Sequence, residues 1–132
     1  MTIQEYIKNW IAIADEDLLA AEREMQFSEP ITRVVCFHCQ QSVEKYFKAY
    51  LLLNKTQIKK THNLETLLEI CINLNSKFKY VDVGNLSSYA VQVRCPDDFY
   101  IPSVEEAKES ILITKKIKEF ILPLIKKCYE NN

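Results

Sequence analysis

The chain of 132 residues contains a single glycine, Gly84. A phosphate-cradling loop needs several, so that backbone N–H groups can approach the anion. A P-loop and a dinucleotide-binding fingerprint are therefore excluded. Proline is scarce as well, at four residues, and with so few turn-formers long helices are favoured. No apolar run approaches the ~20 residues that span a bilayer, and the opening stretch MTIQEYIKNW is polar, without a secretory hydrophobic region. The net charge of −1 gives no general attraction to nucleic acid or membrane. The five cysteines are odd in number and show no framework spacing, which predicts free thiols in a reducing, cytoplasmic compartment. What remains is ordinary for a soluble domain: 48% apolar and 27% charged residues. The length suits one domain, residues 1–132, able to bury about two-thirds of its unfolded surface.

Periodicity supplies the elements. Thr2-x-x-Glu5 is a capping box, and Ile3, Ile7, Trp10, Ala14, Leu18, Ala21 and Met25 recur at helical steps to about Phe27. Ser28 and Pro30 mark the next start. A second helix, about Pro30 to Asn54, is apolar over more than one stripe, as a central element would be. A polar connector, NKTQIKKTHN, leads to a shorter helix capped by Asn63. A fourth segment from near Asp82 to just before Pro96 fits both a helix and a strand. Nothing is present for a strand to pair with, so a helix is expected. After the loop PDDFYIP, Ser103-x-x-Glu106 is a second capping box. It opens a last helix with Val104, Ala107, Ile111, Thr114, Ile117, Ile121, Leu124 and Cys128 on one face, and Pro123 should kink it or end its regular part. Lys115, Lys116, Lys118, Lys126 and Lys127 read as a solvated, dipole-matched face. The expected fold is all-α: an antiparallel up-and-down bundle of about five helices, four long and one short.

Cys36-x-His38-Cys39 invites a metal or thiol reading. A redox Cys-x-x-Cys pair sits at a helix N-terminus after a strand; this one falls inside a helix. A zinc half-site needs two further ligands, and Cys71, Cys95, Cys128 and His62 form no second close pair. The two cysteines read as small core residues, and no metal site is assigned. His38, with Gln41 and Ser42 one turn on, is either a satisfied polar residue or part of a pocket. His62, beside Lys59 and Lys60, is either an anion contact or simply exposed. Arg94 either pairs locally with Asp97 or offers its planar fork to a phosphate. No nucleophile–base–orienter set is legible from spacing.

The blocks FHCQQSVEKYFKAYLL, KTHNLETLL, YAVQVRCPDD and SVEEAKESILITKKIKEFI, with WIAIADEDLLAAE before them, closely resemble the successive blocks of HEPN domains over almost the whole chain. The resemblance implies about five helices, a homodimer, and a cleft lined by polar residues near the dimer contact. It gives His38, Gln41, Lys45, Lys60, His62, Arg94 and Asp97 positions in family blocks and points to nucleotide or phosphate binding. Many HEPN proteins are metal-independent ribonucleases whose Arg is followed, within four to six intervening positions, by His. Here Arg94 is followed by Cys95, Pro96, Asp97, Asp98, Phe99, Tyr100 and Ile101, with no His, so ribonuclease activity is not carried across. HEPN proteins without that motif often accompany a separate minimal nucleotidyltransferase in toxin–antitoxin-like pairs. The expectation is a non-catalytic module that binds a nucleotide or such a partner, without a cofactor and away from membranes. Arg94 would meet phosphate, helped by Lys45 and Lys60. A divergent ribonuclease and a purely structural dimer are the alternatives.

Overall fold

Helix α1 (Ile3–Met25) begins at the expected capping box: the Glu5 N–H donates to Thr2 Oγ1 (3.1 Å) and the Thr2 N–H to Glu5 Oε2 (2.9 Å). The computed structural model describes residues 1–57, 60–90 and 100–130. Helix α2 (Thr32–Leu53) starts two residues after Pro30 and has no side-chain cap of its own. The N–H of Ile31 donates instead to the Glu24 carboxylate (3.0 Å), at the end of α1. Asn63 caps the short α3 (Leu64–Leu74), accepting from the Thr66 N–H at 2.8 Å. The Ser103–Glu106 box opens α4 (Val104–Glu130). Two short 3-10 turns, Ser76–Tyr80 and Leu86–Tyr89, complete an all-helical fold, with no strand among the described residues.

Contacts along the chain give the topology. Asp17 meets His38, Ala14 meets Ser42 and Trp10 meets Lys48, so α1 and α2 run antiparallel. Thr32 Oγ1 donates to the Pro102 carbonyl (2.6 Å) and Ser110 Oγ to Cys36 Sγ (3.6 Å), so α4 runs alongside α2 in the same direction. Helix α2 is the centre: it packs on α1, α3, α4 and the second 3-10 turn. This is why its sequence is apolar on more than one side.

Three local readings change. Ile3, placed on the buried stripe of α1, is exposed, while Ile7, Ala14, Leu18 and Ala21 are buried as expected. Of the two outcomes expected at Pro123, an end to the helix is excluded, since the helical backbone continues to Glu130. The expected helix from near Asp82 is, in its described part, a turn followed by the single 3-10 turn Leu86–Tyr89; residues 91–96 lie outside the described residues. The cause is local. Asp82 Oδ1 accepts from the Gly84 N–H (2.8 Å), and Gly84 takes a left-handed φ of +53°. Both compete with a right-handed helical run.

The end of α2 sets the path of the connector. The Thr56 N–H reaches the Leu51 carbonyl (2.9 Å) and the Lys55 N–H the Leu52 carbonyl (3.0 Å), with Lys55 at φ +56°. This is a Schellman ending with lysine where glycine is usual. It sends the chain back along α2, so that His62 lies beside Gln40 and Glu44.

Candidate functional site

Gln40, Glu44 and Lys48 stand at successive four-residue steps on one face of α2. All three are buried, although each is polar. A buried polar group is tolerated when it is hydrogen-bonded, and a buried charge when it is paired. Glu44 Oε2 accepts from Lys48 Nζ (2.9 Å); its Oε1 accepts from His62 Nδ1 (2.8 Å) and Gln40 Nε2 (3.2 Å). Gln40 Nε2 also reaches the His62 carbonyl (3.0 Å), and Gln41 Nε2 donates to Gln40 Oε1 (2.8 Å). Burial pushes the Glu44 carboxyl up, but the bonds from Lys48 and His62 outweigh it and hold the group below the usual carboxylate range. The Glu44 side chain is 4% exposed, whereas that of His62 is 68% exposed. The network therefore begins in the core and ends in solvent.

A second cluster lies where α2 meets α1. Asp17 receives His38 Nδ1 on one oxygen (2.9 Å) and Lys45 Nζ on the other (2.5 Å). His38 and Lys45 are two turns apart on α2, which is the spacing that lets one aspartate bridge them. Here too a carboxylate holds an imidazole by Nδ1, and the His38 side chain is 32% exposed. Below this cluster, Ser42 Oγ donates to the Ala14 carbonyl (2.7 Å) and the Tyr46 hydroxyl to Asp15. Burial and then the Asp15 contact push the Tyr46 phenol above its ordinary range.

Cys36 and Cys39 face the core and are fully buried. Burial raises both thiols, that of Cys39 to about 12, and raises that of Cys71 likewise to about 12. The thiolate is the reactive species, so these sulfurs are inert packing groups. No group of metal-ligating side chains occurs among the described residues. Labelling of the native protein with a thiol reagent should leave Cys36, Cys39 and Cys71 unmodified while the exposed Cys128 reacts. Mass mapping of the labelled peptides checks this; rapid labelling of Cys36 or Cys39 would contradict it.

The residues flanking positions 91–99 converge on one carboxylate. Glu106 accepts from the Tyr89 hydroxyl (3.0 Å) and the Tyr100 hydroxyl (2.5 Å). The second 3-10 turn is tied to the start of α3 as well: the Leu64 N–H donates to Ser87 Oγ (2.8 Å), which in turn donates to Glu65 (2.5 Å). Leu64 is two residues past His62.

The sequence-predicted residues thus divide. Gln41 and His62 join one network, His38 and Lys45 the other, and Lys60 is exposed near His62. Arg94 and Asp97 lie outside the described residues. Glu44, Gln40, Lys48 and Asp17 went unnoticed as individuals. The readable signal was three polar residues at four-residue steps on one face of the central helix. A further groove lies between α1 and α4, lined by Leu18, Glu22, Lys115, Lys118 and Leu122. There Lys115 meets Glu22 (3.3 Å) and Lys118 meets Asp15 (3.1 Å), surface pairs of small worth. No helix among the described residues is long and apolar enough to cross a membrane.

Comparison with known proteins agrees with the sequence blocks. A search of curated proteins and a search of solved structures each returned no match. The family model of the HEPN domain matches residues 7–127, from the first buried residue of α1 to the last turns of α4. A match over nearly the whole of an all-helical chain leaves one conclusion: the chain belongs to the HEPN domain family.

Proposed function

We propose that the chain is a single, non-catalytic HEPN domain that works in the cytoplasm as a homodimer and binds a nucleotide, alone or presented by a separate nucleotidyltransferase. The ligand lies where α2 meets the α2–α3 connector. One observation carries this reading: His62 is held from beneath by two buried side chains, at its ring by Glu44 and at its carbonyl by Gln40, yet is itself largely exposed. A buried ionic network adds little stability over an apolar core of the same volume. Its presence is better explained by the imidazole it holds at the surface.

The phosphate contacts fall to Arg94 and Lys60. The ammonium groups of Lys45 and Lys48 are engaged by Asp17 and Glu44, so Lys45 ranks lower than its place in the family block suggests. Lys60 is exposed and two residues from His62. Arg94 is assigned this contact from its place in the family block alone.

Calorimetric titration of the purified chain with ATP, and with a nucleotidyltransferase encoded beside it, is the test. Saturable binding is expected, weakened about tenfold or more by Arg94→Ala, as for loss of a charge-assisted hydrogen bond. Binding of neither, or equal binding by Arg94→Ala, would contradict the reading. RNA cleavage in EDTA that Arg94→Ala abolishes would replace it with a ribonuclease.

A further inference from the structure

His62 is held more firmly than an anchor requires. The bond from Gln40 Nε2 to its carbonyl (3.0 Å) already fastens the connector to α2. Gln41, donating to Gln40 Oε1 (2.8 Å), fixes which way the Gln40 amide faces. The second bond, from the ring to Glu44 (2.8 Å), does something different. An ionised carboxylate only accepts, so the hydrogen on this ring must lie on Nδ1. In the neutral ring, that hydrogen on Nδ1 leaves Nε2 with a lone pair, on a side chain that is 68% exposed. Lys48 Nζ, 2.9 Å from the other Glu44 oxygen, keeps that carboxylate charged and is itself buried, against the Trp10 ring at 6.0 Å. Among the described residues, the charged groups bonded into this network are Glu44 and Lys48 from α2, and Lys60 stands two residues before His62 in the connector.

An outward acceptor does not suit a phosphate oxygen, which accepts as well. It suits a hydroxyl. We infer that Glu44 and Gln40 are positioning residues that aim His62 Nε2 at a ribose hydroxyl, so that the domain selects ribonucleotides. This rests on the nucleotide-binding reading and adds the sugar contact to it. A site built to bond a hydroxyl rejects the analogue that lacks it, because its own polar group is then left unpaired.

The test compares ATP with 2′-deoxy-ATP and 3′-deoxy-ATP by calorimetry on the full chain. One deoxy analogue should bind about tenfold more weakly than ATP. His62→Ala, at an exposed position, should lower ATP affinity to that of the analogue and leave the analogue's affinity unchanged. Nitrogen-15 spectra of the histidine ring in the wild-type protein should show the hydrogen on Nδ1. In Glu44→Gln that signature should shift and the ATP preference shrink, an outcome that a purely structural Glu44 would not produce. If Glu44→Gln fails to fold, the wild-type spectrum and His62→Ala still decide. Equal binding of all three nucleotides, a preference that survives His62→Ala, or a hydrogen on Nε2 overturns this inference alone. Binding of no nucleotide by the wild type overturns the nucleotide reading and this inference with it.

Discussion

Glu44→Ala will destabilise the fold by about 3–5 kcal/mol, the range for removing one partner of a buried ion pair. The substitution leaves Lys48 buried with its charge unmatched and takes an acceptor from His62 and Gln40. The cost comes chiefly from the stranded ammonium. The double change Glu44→Leu with Lys48→Met should therefore recover most of the loss, since apolar residues of similar volume replace buried pairs at little cost. Urea denaturation followed by circular dichroism measures both. A loss below about 1 kcal/mol would place the cluster in the range of ordinary surface pairs. The same group predicts a pH dependence. Its folded-state pKa is lowered, so its contribution is present above the unfolded value and is lost as pH falls through the folded one. Stability should decline in acid below the usual glutamate range, and the decline should be smaller in the double variant.

Phe78→Ala should cost about 3–5 kcal/mol, the range for a fully buried phenylalanine. Phe78 sits in the 3-10 turn after α3 and is completely buried. Its ring lies 4.7 Å from that of Tyr50, 5.0 Å from Phe120 and 6.4 Å from Phe47, joining α2 to α4. Truncation would leave a cavity edged by three aromatic rings, with little able to collapse into it. Two residues on, Tyr80 is 90% exposed, and Tyr80→Ala should change stability by no more than about 0.5 kcal/mol. Comparing the two urea midpoints checks both; similar values would contradict the packing described.

Phe78 also marks what the sequence concealed. The helices were legible because their signals are local: a threonine or serine three residues before a glutamate, an asparagine before an apolar run, apolar residues at three- and four-residue steps. Cys36 and Cys39 were legible as core for the same reason. Residues 76–90 were not, because a 3-10 turn has no long periodicity, and the side chain of Asp82 and the left-handed Gly84 outweigh the apolar pattern that follows. The site was half legible. His62 and Gln41 belong to recognisable blocks, but the partners that orient His62 depend on the connector folding back along α2. No spacing rule reports that Glu44 and His62, eighteen residues apart, share a hydrogen bond.

The central claim is that the nucleotide lies against the connector side of α2. Backbone amide shifts recorded during an ATP titration test it most directly. The account predicts saturable shifts concentrated at Gln40, Gln41 and Lys60 to Asn63. No saturable shift, or shifts concentrated in the groove between Glu22 and Lys115, would contradict it.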